Sequence, residues 1–169
     1  MNISLDIETL GTNVDSQILS IGACKFDKDG NILAKNYSVI RVSSDATINA
    51  TMGTIKFWLT QSASKHVFDS KIASPMSIAL TSLRMFIQED DEVWANGTKF
   101  DLGMLEYQYK LMGTPVPWKF NADRCMRTLR KFAGHIDIDF EGVQHNALDD
   151  AIWQAKYIAA ACKKLGLEL

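Results

Sequence analysis

The 169-residue sequence has only three cysteines, Cys24, Cys125 and Cys162. They are odd in number, far apart and without any C-x-x-C pair, which argues against a disulfide framework or a cysteine zinc site and suits a reducing compartment. The three histidines, His66, His135 and His145, lack H-x3-H spacing, so zinc is not expected either. No apolar run approaches the roughly 18 residues of a spanning helix. The opening MNISLDIETL carries Asp6 and Glu8 where a secretory leader would carry basic charge, and the expected location is the cytoplasm. Basic charge is not in excess: 18 Lys and Arg stand against 20 Asp and Glu, for a net charge of −2. Bulk electrostatics therefore does not point to nucleic acid, and such a partner has to be argued from a site. Repeats, linkers and low-complexity segments are also missing, so one domain over 1–169 is expected.

What is present is an ordinary globular composition, 47% hydrophobic and 22% charged, with clear periodicity. In NISLDIET, Ile3, Leu5 and Ile7 alternate with Ser4, Asp6 and Glu8, the pattern of a half-buried strand. Residues 17–27 and 31–42 read as two more strands joined by the hairpin signal Asp29-Gly30, which gives a three-stranded meander. Helices are expected over 51–70 and over 75–89, the second capped by Ser74 with Pro75 at its first position. A short strand at 92–96 follows. A helix carrying Leu102, Leu105, Tyr109 and Met112 stops at Gly113, and 121–134 reads as a more basic helix. The last helix, about 147–164, presents Leu148, Ile152, Ala155, Ala159 and Cys162 on one face. Strands first, then strands alternating with helices, imply an α/β fold with a mixed sheet.

Several acids invite both a chemical and an ordinary reading. Asp6 and Glu8, two apart on a strand, project from one face and can share a cation, yet polar-out alternation is what any half-solvated strand shows. Thr98-x-x-Asp101 is also the pattern of a capping box. Asp149 and Asp150 sit in a first helical turn, where any carboxylate complements the dipole. A helical wheel centred on Leu148 places both off the apolar face and does not choose between them. Asp137, Asp139, Glu141 and Gly142 echo an EF-hand loop but fail at position 12, which is Leu148 rather than Glu.

Taken together, LDIETLG, NGTKFD and HNALDDA resemble, in order, the three motifs of the DEDDh family of 3′–5′ exonucleases: D-x-E-T-x-G, N-x-x-x-F-D and H-x-A-x-x-D-A. The matching positions are Asp6, Glu8, Thr9, Gly11, Asn96, Phe100, Asp101, His145, Ala147, Asp150 and Ala151. The third motif's spacing selects Asp150 over Asp149. The regions around Trp58 and Asn96 look most like a small bacterial and phage subgroup of that family. The resemblance implies a ribonuclease-H-like fold with a mixed five-stranded sheet, the meander plus parallel strands, flanked by helices.

It also implies a mechanism. Two divalent cations, Mg²⁺ or Mn²⁺, would be held by Asp6, Glu8, Asp101 and Asp150, with oxygen ligands suited to hard cations. His145 would be the general base, a role that fits an imidazole at cellular pH. Thr9, Leu10, Asn96 and Phe100 would meet the terminal nucleotide, although Phe100 also reads as a core residue. The partner would be single-stranded DNA or RNA with a free 3′-OH, and stand-alone members of the family are often homodimers. Arg124, Arg127, Arg130 and Lys131 form the most basic segment and read equally as a phosphate track or a solvated helix face. The competing functions are a non-catalytic nucleic-acid-binding or adaptor domain of the same fold, an endonuclease, and a small-nucleotide phosphoesterase.

Overall fold

The computed structural model describes residues 1–43 and 45–169. Three strands open the chain, β1 (Asn2–Thr9), β2 (Ile18–Phe26) and β3 (Ile32–Val39). They form the expected antiparallel meander, with Gly30 at φ +83° in the β2–β3 turn. Two short helices, α1 (Met52–Trp58) and α2 (Ser64–Val67), stand where one helix over 51–70 was expected. Next come α3 (Met76–Phe86), β4 (Glu92–Ala95), α4 (Thr98–Leu111), β5 (Asp123–Cys125), α5 (Met126–Ala133) and α6 (Ala147–Leu165). The sheet order is β3-β2-β1-β4-β5, with β1/β4 and β4/β5 parallel. This is the mixed five-stranded ribonuclease-H-like sheet. Among the described residues no helix is long and apolar enough to cross a membrane.

Local expectations fail where a tertiary contact takes over. Residues 123–125 were read into a helix but pair with β4, Val93 opposite Asp123 and Ala95 opposite Cys125, and a three-residue strand has no periodicity to detect. Ser74 does not cap α3. Its N–H donates to the Val39 carbonyl and its carbonyl accepts from Arg41, which ties the chain to the end of β3, while Pro75 takes the cap position without a side-chain hydrogen bond.

The sheet is covered on both faces. Ile3, Leu5 and Ile7 pack with Ala79, Leu80 and Leu83 of α3 and Leu102 and Leu105 of α4. The opposite, polar face of β1 is not solvated as its alternation suggests: Ser4 is fully buried, because α6 lies across it. The helix meets the sheet through a stripe rotated from the expected one. Ala147, Ala151, Ala155 and Ile158 are fully buried, while Leu148 and Ile152 are only half-buried. Small side chains permit the close approach. At Gly22, the partner of Asp6 across the β1/β2 ladder, a Cβ would stand 2.2 Å from the Ala147 carbonyl carbon and 2.3 Å from the Leu148 nitrogen. Helix backbone thus rests directly on strand backbone beside Asp6.

That contact predicts the effect of one methyl group. Gly22→Ala should destabilise by about 3 kcal/mol or more, the severe end of overpacking, because neither backbone can yield as a side chain does. Urea unfolding followed by circular dichroism checks it, and a variant as stable as wild type would show that α6 does not need this seating.

Candidate active site

The carboxyl ends of the parallel strands β1 and β4 and the amino end of α6 converge on a cavity of about 320 Å³. Asp6, Glu8, Asn96, Phe100, Asp101, His145 and Asp150 all line it. Asp6 and Glu8 come from β1, which is irregular between Glu8 and Thr9 where its register with β2 shifts; such bulges re-aim side chains at strand ends. Asn96 follows β4 directly. Asp101 lies one turn into α4, whose cap is Gly97 without a side-chain hydrogen bond, so Thr98 and Asp101 do not form a capping box. Asp101 Oδ1 instead accepts from the Ile7 N–H at 3.3 Å, tying α4 to β1.

The structure separates the two adjacent acids that the helical wheel could not. Asn146 caps α6, its side chain accepting from the Leu148 and Asp149 N–H groups. Asp149 turns back to the preceding loop, where its Oδ2 accepts from the Val143 N–H at 2.8 Å. Gly142, at φ +110°, leaves room for it, since a Cβ there would lie 2.5 Å from the Asp149 carboxylate. Asp150 faces the cavity, and its Oδ2 accepts the His145 N–H at 2.9 Å. His145 is held at φ +64°, the left-handed region that a non-glycine residue occupies at some cost. Its ring meets the edge of Phe57 with centroids 4.9 Å apart. Among the described residues Glu8, His145 and Asp150 form a group whose ligand atoms all lie within 4.8 Å of one another.

The electrostatics are those of buried acids crowded together. Burial first, then the charges of Asp101, Glu8 and Asp150, push the Asp6 carboxyl well above its ordinary range, against a hydrogen bond from Gln154 Nε2 at 2.8 Å. Burial and the neighbouring acids push Glu8 up to about 9. Burial likewise raises Asp101 to about 7 and Asp150 to about 6, the latter moderated by His145. Among the described residues no lysine or arginine pairs with any of the four within 4.0 Å.

The remaining expected residues divide. Phe100 is half-buried against the main core and also lines the cavity. Thr9 is buried, its hydroxyl donating to the Gly11 carbonyl at 2.6 Å and its carbonyl accepting from Trp58 Nε1 at 2.8 Å. Leu10 packs with Leu19, Trp58 and Val67 and lines a neighbouring apolar cavity with Leu59 and Phe68. Of the basic segment only Arg127 lines the carboxylate cavity. Arg124 pairs with Glu92 at 2.6 Å, Arg130 lies over the rings of Trp153 and Tyr157, and Lys131 is exposed. Sequence reasoning missed Gln154, Trp153 and Phe57. Gln154 had a signal, a polar residue four after Asp150 and so on its face of the helix; Phe57 reaches His145 only through the tertiary fold.

A ribonuclease-H-like sheet carrying these three motifs around one cavity defines the class: DEDDh 3′–5′ exonucleases. Within it, the chain belongs to the family described as the 3′-5′ exoribonuclease Rv2179c-like domain, which matches residues 1–162. None of the curated proteins compared with the chain matches it significantly. Among solved structures the fold is similar to S. pombe Pop2p in its Mg²⁺- and Mn²⁺-bound form, at TM-score 0.65 and 16% identity over 96% of this chain and 82% of that one. It is similar to E. coli exonuclease I in complex with a dT13 oligonucleotide, at TM-score 0.75 and 11% identity over 98% of this chain but 41% of that one. The nuclease domain of 3′hExo, a DEDDh family member bound to rAMP, is similar at TM-score 0.68 and 13% identity, covering 99% of this chain and 94% of that one. At such identities the likeness establishes the fold.

The raised acids make stability depend on pH in a defined direction. A carboxyl whose pKa is higher folded than unfolded stabilises the fold below its unfolded pKa of about 4, and that contribution disappears as pH rises through the folded value. With Asp150, Asp101 and Glu8 at about 6, 7 and 9, the melting temperature in chelator should fall between pH 5 and pH 9. Asp6→Asn should flatten that fall and melt higher than wild type at pH 8. A wild-type melting temperature that climbs over this interval would refute the coupling.

Proposed function

We propose that this cavity removes nucleotides one at a time from the free 3′-OH end of a single strand, and the exoribonuclease description of the family favours RNA as that strand. The observation that carries the reading is the convergence of Glu8, His145 and Asp150 within 4.8 Å, with Asp6 and Asp101 lining the same cavity. Four desolvated carboxylates without a basic partner are costly unless a cation joins them. Their oxygen donors fit hard divalent ions such as Mg²⁺ or Mn²⁺, the ions in the Pop2p structure.

Asp6 would be shared by two such ions, Glu8 and Asp150 would complete one, and Asp101 would support the other. When bound, the pair supplies charge stabilisation to the attacking and leaving oxygens of an in-line displacement. The protein's own part is to place the acids and the base. His145 takes the proton of the attacking water, and a spacing of up to 4.8 Å from the carboxylate oxygens leaves room for a water bridging them, since two hydrogen bonds of about 2.8 Å span such a gap. Its imidazole is aimed by two restraints, the main-chain bond to Asp150 and the edge contact with Phe57. Asp149 acts one step back by holding the loop at Val143. Asn96 and Phe100 shape the wall against which the terminal nucleotide rests, and Thr9 and Leu10 would bound its sugar from the β1 side. The homodimer implied by the family resemblance is a separate expectation, to be read by sedimentation.

On end-labelled RNA and DNA in Mn²⁺, Asp150→Asn should abolish turnover and Asp149→Asn should keep most of it. His145→Ala should slow it by roughly 10²–10⁴, as for a lost general base. Metal affinity, measured by calorimetry, should survive in Asp149→Asn and His145→Ala but not in Asp150→Asn. A dead Asp149→Asn with an active Asp150→Asn would invert the assignment, and activity undiminished by chelation would remove the cations from it.

A 3′-phosphate should block degradation. It adds about −1.5 to −2 charge beside the four carboxylates, whereas a 5′-phosphate on a long strand lies far from the site. Release of mononucleotides from the 3′-OH strand alone is the expected result. Equal degradation of both ends' variants would indicate an endonuclease.

A further inference from the structure

A second cavity, of about 420 Å³, adjoins the carboxylate cavity and shares two residues with it, Phe100 and Arg127. Its character is opposite. No acid lines it, its charges are those of Lys99 and Arg127, and Val14, Phe100 and Met104 supply apolar wall. The Arg127 guanidinium lies beside Gly97 at the mouth of α4, 3.4 Å from where a Cβ at 97 would stand. Its positive charge lowers the Asp101 carboxyl only as the smallest of several influences, and among the described residues it forms no ion pair within 4.0 Å. Asp101 takes its hydrogen bond from Ile7 instead. Arg124 and Arg130, by contrast, are occupied by Glu92 and by the Trp153 and Tyr157 rings. Arg127 is thus an exposed guanidinium on the border between an acidic cavity and a basic one, with no ion pair or side-chain hydrogen bond among the described residues.

We propose that this second cavity is a subsite for the penultimate nucleotide, and that Arg127 holds the phosphodiester next to the scissile one. This rests on the exonuclease reading of the carboxylate site, and the direction of the strand follows from it. If the chain ends in a 3′-OH just beyond the scissile phosphate, the only neighbouring phosphate lies on the 5′ side. A guanidinium fork matches two phosphate oxygens, and the ring of Phe100, half-buried between the cavities, offers a face on which a base can stack without regard to sequence. A subsite of this kind explains how a protein of net charge −2 can grip a polyanion: one basic contact is set where the strand leaves the acids.

The test compares two RNA tetramers in Mn²⁺, one with all phosphodiesters and one with a neutral methylphosphonate at the second linkage from the 3′ end. Wild type should prefer the charged strand by about 10- to 100-fold in kcat/KM, the size of one charge-assisted contact. Arg127→Gln should lose that factor on the charged strand and nothing further on the neutral one, and Arg127→Lys should restore part of it. Dissociation constants from fluorescence anisotropy in Ca²⁺ should follow the same pattern. The residue is exposed, so the variants should melt as wild type does. Equal losses by Arg127→Gln on both strands would place the guanidinium on the scissile phosphate or on Asp101 and overturn the subsite, as would a wild type indifferent to the neutral linkage. A protein that leaves the unmodified tetramer intact would overturn the reading of the carboxylate site itself, and the subsite with it.

Discussion

The seating of α6 on β2 is the contact from which the site is built. With Gly22 beneath the Ala147 and Leu148 backbone, the first turn of the helix comes down beside Asp6, the cross-strand partner of Gly22. Ala147, Ala151 and Ala155 keep the helix low along the sheet, and Ser4, Ser20 and Cys24 are small, fully buried side chains of the sheet. Asp150 and Gln154, one helical turn apart, then face the carboxylates of β1, and the loop before the helix carries His145 into the same cavity. A larger residue at any of these positions would lift the helix and separate the third motif from the first.

The same closeness creates an electrostatic cost that the rest of the fold avoids. Asp91 is as deeply buried as Asp101, at 4% exposure each, but the two are treated differently. Burial alone would raise Asp91, yet the Gln88 N–H, Lys25 at 3.0 Å and the chain's amino group at 3.2 Å hold it below its ordinary range. The four acids of the cavity receive hydrogen bonds from Gln154, Ile7 and His145 but, among the described residues, pair with no lysine or arginine. Asp91, the buried acid with a structural part, is paired with cations of the chain. The unpaired cluster is therefore better understood as a receptor for external charge than as an accident of packing.

The sequence made the meander legible through period-two alternation, and the three motifs made the cavity's acids and histidine legible through spacing that survives folding. What it hid were relations set by tertiary contact. Residues 123–125 are a strand only because β4 offers an edge. Ser74 is drawn to β3 rather than to its helix. Thr98 and Asp101 match a capping pattern, but Asp101 is claimed by Ile7. The apolar face of α6 was read around Leu148 and Ile152, whereas a helix packed this tightly turns its alanines inward. Asp149 and Asp150 both lie off the apolar face on a wheel; motif spacing selected Asp150, and the Val143 N–H that Asp149 satisfies supplies the structural reason.

The basic segment shows why composition alone said little about the partner. Four cations within eight residues look interchangeable, yet a strand pairing, a helix start and two aromatic rings assign them separate surroundings. Position 124 sits in β5 against Glu92, and position 130, one turn beyond 127, is drawn over Trp153 and Tyr157. Position 127 faces the cavity because β5 ends at Cys125 and α5 begins at Met126, aiming the helix's first turn at Gly97 and the mouth of α4. The short strand that sequence periodicity could not reveal is thus what delivers the guanidinium to the acids. Recognition of a polyanion by a slightly acidic protein then depends on where its cations are placed and not on how many the chain contains.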